Sequence, residues 1–120
     1  MKNRVNVLGT EYKIEIHKIS EDEFMKKHNL EGWCGESTKL IVIADFDEEE
    51  YFSGMTEEEK ELGRKSVLRH ELIHAFLNES GLSASSSIPT CGWAKHEEMV
   101  DWIAIQFPKM LKAFKEVGCL

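Results

Sequence analysis

His70, Glu71 and His74 have the residue types and spacing that could do chemistry. They lie in His70-Glu71-Leu72-Ile73-His74, which reads H-E-x-x-H within a segment of helical periodicity. Residues four apart on an α-helix are neighbours on one face, roughly 6 Å apart along the axis. Two imidazoles so placed can grip one Zn2+ ion, and the glutamate between them lies beside the metal's open position. The competing reading is a solvated helix face that happens to carry two histidines and a glutamate. The flanking residues argue against it. Leu68, Leu72, Ala75, Phe76 and Glu79 follow steps of three and four, most of them facing the core, and Ile73 and Leu77 form a second apolar pair. A helix that is apolar on both sides of its histidines suits a buried metal site.

A zinc site needs at least three protein ligands, and catalytic sites commonly keep a fourth position for water. Downstream stands His96-Glu97-Glu98-Met99-Val100-Asp101. Taken with the H-E-x-x-H, this stretch resembles the gluzincin branch of the zincin metallopeptidases. In that branch a second helix supplies a glutamate ligand, and an aspartate four residues later hydrogen-bonds a ligating histidine. The resemblance implies Glu97 as the third ligand and Asp101 as the carboxylate behind an imidazole, where it fixes the tautomer and raises basicity.

The residues alone leave rivals open. Glu97, Glu98 and Asp101 could simply be the acidic first turn of a helix, favourable against its dipole. Glu98 could be the ligand, but it points about 100° away from Glu97, so only one of them can face the metal squarely. His96 would give a three-histidine site, and Cys91 is a further zinc-binding type in the preceding loop. The order of preference is Glu97, Glu98, His96, Cys91. A metzincin pattern is excluded, because Leu77 and Ser80 stand where it requires Gly and His.

The chain of 120 residues suits a single domain spanning 1–120, and 42% hydrophobic residues suffice for a core. A net charge of -7 with no basic run disfavours nucleic acid as a partner. No apolar run is long enough to span a bilayer, and the first residues lack the apolar core of a signal peptide. Cys34, Cys91 and Cys119 are an odd set without framework spacing. A reducing, cytoplasmic setting with three free thiols is therefore expected.

The elements that must position the site read as α+β. A small antiparallel or mixed sheet is expected to pack on the H-E-x-x-H helix, with a second, ligand-bearing helix beside it. Residues 4–8 and 11–19 look extended, with Gly9-Thr10 as their turn and His17 on the polar side. Ser20 and Glu23 read as a capping box opening a short helix through His28. Gly32-Trp33-Cys34-Gly35 looks like a turn, and residues 39–44 like a strand buried on both faces over part of its length. Asp45 to Glu50 reads as a solvated acidic loop. Thr56 caps a helix over about 57–79, with Gly81 as its stop. Residues 80–94 form a serine-rich connector. A helix from Lys95 follows, with Met99, Trp102, Ile103 and Phe107 as core candidates. Pro108 should kink it or begin a new amphipathic helix.

Over roughly residues 38–108 this order resembles the small ImmA/IrrE-type metallopeptidases and related minimal zincins of bacteria and their phages. The resemblance implies hydrolysis of a peptide bond in a protein or peptide substrate. Zn2+ would be held by His70, His74 and Glu97, and Glu71 would serve as general base. The strand through Ile41 and Ile43 is a candidate edge for an extended peptide. His96, Tyr51 and Arg69 are candidate donors to the developing oxyanion. Two non-enzymatic readings stand beside this one. The first is a catalytically silent, zinc-stabilised binding protein of a phage or mobile element. The second is a metal-free interaction domain.

Overall fold

A computed structural model of the chain describes residues 2–85 and 93–120. Strand β1 (Arg4–Val7) turns back into β2 (Thr10–His17). The turn residues are Leu8 and Gly9, at φ 51° and 94°, rather than Gly9-Thr10. Two successive positive φ values match the right-handed twist of a hairpin, and glycine takes the second at no steric cost. Tyr12 and Ile14 are buried as the alternation predicts, but Ile16 is exposed. His17 is half-buried, not a free surface group. Its Nδ1 pairs with Asp22 and its Nε2 with Glu15, each at 2.8 Å. Burial acts to lower the His17 pKa, but the hydrogen bonds to the two carboxylates outweigh it and raise it.

Asp22, not Ser20, caps helix α1 (Glu23–His28), accepting from the Met25 backbone N–H at 2.9 Å. Ser20 sits in a 3-10 turn over Ile19–Glu21, and the backbone N–H groups of Ile19 and Ser20 donate to the Glu48 carboxylate. Asn29 ends the helix in the left-handed conformation. The next segment, Gly32–Gly35, is a strand, β3, rather than a turn. It pairs antiparallel with β4 (Leu40–Ala44), which also pairs parallel with β2.

The sheet is mixed, in the order β1-β2-β4-β3. Strand β4 lies inside it and is buried on both faces. Ile41 and Ile43 meet Val7, Tyr12, Ile14 and Ala75 on one side. Val42 and Ala44 meet Ile19, Met25, Phe46 and Phe52 on the other. The edge beside the helices is therefore β3, and the strand through Ile41 and Ile43 has no free edge to offer. The acidic run forms a loop only over residues 45–48, where Phe46 is buried; its Glu49 and Glu50, expected in the loop, instead open a short helix α2 (Glu49–Phe52).

Helix α3 (Glu57–Glu79) begins at Thr56 with a complete capping box to Glu59. Its C-terminal end is fixed to the sheet by Glu79. That carboxylate accepts from Lys39 Nζ at 2.6 Å, from the Tyr12 hydroxyl at 2.7 Å and from the Thr10 hydroxyl at 2.9 Å. These hydrogen bonds, with Lys39 foremost, hold its pKa down from 4.5 to about 2. Of the expected core stripe, Ala75 is buried and Leu68 and Leu72 pack against the sheet, while Phe76 is exposed. A short turn of helix α4 (Leu82–Ser85) and a 3-10 turn (Trp93–Lys95) precede the last helix, α5 (Glu97–Glu116). No helix among the described residues is long and apolar enough to cross a membrane.

Candidate metal centre

The site depends on where α5 sits against α3. Leu77 on α3 forms a buried cluster with Ala94 and Val100, and Ile73 and Met99 pack around it. Thus the second apolar pair of α3, Ile73 and Leu77, fixes the first turn of α5. Ala104 is also buried, whereas Trp102 and Phe107 are exposed and Ile103 is only half-buried, so half of the expected core stripe of α5 faces outward.

Pro108 does not break the helix. It has no N–H to offer the Ala104 carbonyl four residues earlier. Arg69 supplies the missing donor instead, its Nε reaching that oxygen at 2.8 Å. An orphaned helix carbonyl is thereby satisfied from α3, and the two helices gain a polar tie beside their apolar contact.

This docking places Glu97 and Asp101 over the two histidines. The ring nitrogens His70 Nε2 and His74 Nε2 are 3.1 Å apart. Glu97 spans them, with one oxygen 3.0 Å from His70 Nε2 and the other 3.1 Å from His74 Nε2. Behind His70, Nδ1 lies 2.6 Å from Asp101 Oδ1. An ionised carboxylate can only accept, so Asp101 takes the hydrogen bond from Nδ1–H; the neutral ring with its proton there would turn an Nε2 lone pair toward Glu97 and His74, as a metal ligand must. Burial lowers the pKa of His74, with the Glu97 carboxylate opposing and the neighbouring His70 adding to the drop. The net lowering at His74 favours the neutral imidazole that a metal ion requires.

Glu71 sits deeper. It is 5% exposed, and its Oε1 is 4.0 Å from His70 Nε2. Burial pushes its carboxyl up from 4.5 to about 7, with Glu97 and Asp101 adding to the rise and His70 opposing it. Ligand atoms of His70, Glu71 and His74 all lie within 4.8 Å of one another, so this group could hold a metal ion. Between the two glutamates, Glu97 touches both histidine nitrogens and Glu71 touches neither closely. Glu97 therefore closes the triangle, and Glu71 stands beside it.

Two clefts meet at these residues. One, of about 490 Å3, has an apolar wall from Ile19, Met25, Leu30, Phe52 and Val67 and runs to His70, Glu71, Glu97 and Asp101. The other, of about 280 Å3, passes Trp33, Cys34, Glu36 and Asn78 and also reaches His70, Glu71, His74 and Glu97. Of the edge strand β3, Gly32 lines both clefts and Trp33 and Cys34 line the smaller one, close to the His-Glu group.

Gly32 is what lets β3 approach α3 so closely. A Cβ there would stand 2.7 Å from Val67 Cγ1, 2.9 Å from the Val42 carbonyl oxygen and 3.2 Å from Glu71 Oε1. Gly32→Ala is expected to destabilise the protein by about 1–3 kcal/mol, the usual scale for overpacking, and to displace the Glu71 carboxylate. Denaturant titration measures this. An unchanged midpoint would mean that β3 can shift away without cost.

The remaining candidates separate cleanly. Glu98 is exposed and lines neither cleft. His96 is exposed and serves as the N-cap of α5, its Nδ1 accepting from the Met99 N–H at 3.4 Å. Cys91 lies outside the described residues. Among the proposed oxyanion donors, Tyr51 lines the larger cleft, whereas Arg69 is committed to Ala104. Sequence reasoning missed Gly32, Met25, Leu30 and Val67 as cleft residues. Only Gly32 carried a signal, and the neighbouring Gly35 made that signal read as a turn. No protein-family model, characterised protein or solved structure matches the chain, so what the site does is argued from its own atoms.

Proposed function

We propose that this protein is a zinc-dependent endopeptidase that cleaves an extended segment of a specific protein substrate. The observation that carries the reading is the pair His70 Nε2 and His74 Nε2, 3.1 Å apart, each within 3.0–3.1 Å of a different oxygen of the Glu97 carboxylate and backed by Asp101. Zinc bonds of about 2.0–2.1 Å in tetrahedral geometry put neighbouring ligand atoms about 3.3 Å apart, so the three groups fit that ion with little movement. Their types fit as well: two imidazoles and one carboxylate, with a fourth position left open.

Bound zinc supplies Lewis acidity, polarising the scissile carbonyl and lowering the pKa of the attacking water. The chain's own residues do the rest. Glu71 accepts a proton at its carboxylate and returns it to the leaving amine. Asp101 holds His70 in the ligating tautomer. The outer edge of β3 binds substrate backbone by strand addition, and the apolar wall of the larger cleft takes a bulky apolar side chain. Tyr51, which lines that cleft, is the candidate donor to the oxyanion. We take the setting to be cytoplasmic, where Cys34 beside the smaller cleft stays reduced.

The ligand assignment has its own test. Glu97→Ala should weaken zinc binding far more than Glu98→Ala, and Asp101→Asn should weaken it by about 10–100-fold. Competitive zinc titrations measure all three. If Glu98→Ala proved the damaging change, the register of α5 over the histidines would be wrong by one residue. For the activity itself, the test is a search for new protein N-termini in the native host when the chain is expressed. A small, discrete set is expected. None at all, from folded and zinc-loaded protein, would remove the hydrolytic half of the reading.

A further inference from the structure

Helix α5 carries a second pattern that the metal centre does not use. Its first half rests on α3 through Val100 and Ala104, but none of residues 105–120 is buried. Most of the large apolar residues there follow one stripe, with Ile105, Leu111 and Leu120 off it. Val100, Ile103, Phe107, Met110, Phe114 and Val117 follow one another at steps of three, four, three, four and three. That is the a/d seam of a heptad repeat, the spacing with which one helix packs along another. Val100 uses the seam against α3. Beyond it, Phe107 is 46%, Phe114 39% and Val117 75% exposed, so the seam runs off the domain with its outer half open.

The positions flanking the open seam identify what fits it. Gln106, Leu111 and Ala113 occupy them, and none carries charge. Lys109, Lys112, Lys115 and Glu116 all fall on the outer positions. Helices that select a different partner write that choice in charged flanking residues, and like charges there would oppose self-pairing. Here nothing opposes it. Each chain also carries a net charge of -7, while the arm holds three lysines against one glutamate. An antiparallel arrangement keeps the two acidic domains at opposite ends and directs each basic arm toward the other domain.

We propose that residues 103–117 of α5 form a dimerisation arm that pairs seam to seam, antiparallel, with the same arm of a second copy of this chain. Centred near Met110, the pairing sets Phe107 of one copy beside Phe114 of the other and Gln106 beside Ala113. The arm stands apart from the metal triangle, and this inference does not depend on what the site catalyses.

The test is sedimentation of the full-length, zinc-loaded protein over about 1–100 μM, a range that spans weak to moderate self-association. The expected species at the upper end has about twice the 13.8 kDa chain mass. Phe114→Glu should return it to a single chain with unchanged zinc content and circular dichroism. The paired change Gln106→Lys with Ala113→Lys leaves the seam intact and sets like charges face to face in the antiparallel register. It should raise the dissociation constant at least tenfold, and it guards against a misfolded seam variant. A wild-type protein that stays single-chain at about 100 μM overturns the proposal. So does a dimer that survives both sets of changes with the fold intact.

Discussion

His74→Ala should strip the protein of metal and lower its melting temperature more than any other single change at the site. His74 is one of only two imidazoles in the triangle, and its Nε2 is 3.1 Å from the nearest Glu97 oxygen and 3.1 Å from His70 Nε2. Alanine leaves a two-ligand site, too few for zinc to remain bound. The stability follows from linkage. An ion bound by the native state alone contributes about 4 kcal/mol when free metal is a thousandfold above its dissociation constant. For a chain of this size, that corresponds to a shift on the order of 10 °C or more. Wild-type protein purified without chelator should contain close to one zinc per chain, and the variant almost none. Chelator should lower the wild-type melting temperature toward that of the variant and leave the variant unmoved. Wild-type protein that folds at full strength with no divalent metal bound, under zinc-replete conditions, would remove the central claim.

The parts of this molecule that the sequence announces are those whose signals are local. Helix α3 is readable because Thr56 and Glu59 cap it and Gly81 follows its end, so the register of His70, Glu71 and His74 comes with it. Strand β4 is readable because an unbroken apolar run has to be covered on both faces, and it is. What fails is what depends on distant partners. Two glycines around Trp33-Cys34 look like a turn until a neighbouring strand accepts them, and Gly32 is there for its lack of a side chain against Val67 and Glu71. Pro108 signals a break, yet Arg69, thirty-nine residues earlier, supplies the bond that the proline withholds. Trp102 and Phe107 look like core because their types are apolar, but the body against which α5 packs ends near Ala104. The pairing of Glu97 with Asp101 was legible only through a family resemblance. The structure brings both to His70, on opposite sides of its ring.

Glu71→Gln should separate chemistry from everything else the site does. Glu71 is not part of the triangle: its carboxylate stands 4.0 Å from His70 Nε2, against 3.0 Å for Glu97. Zinc content should therefore survive the change. Stability should hold as well, because glutamine keeps the volume and removes a carboxyl whose ionised form burial disfavours. What is lost is a group able to accept the proton of water and hand it to the leaving amine. The loss of such a general base costs about 100- to 10,000-fold in rate. A structural zinc site has no use for a carboxylate beside the open position of its metal. The readout is the set of new protein N-termini in the native host expressing wild type or Glu71→Gln. Termini present with the wild type and absent with the variant, at equal zinc content and melting temperature, are the expected result. Two indistinguishable profiles from folded, zinc-loaded proteins would instead make this a binding protein of a phage or mobile element that holds zinc for its fold. In that case the clefts beside β3 would capture a protein segment without cutting it.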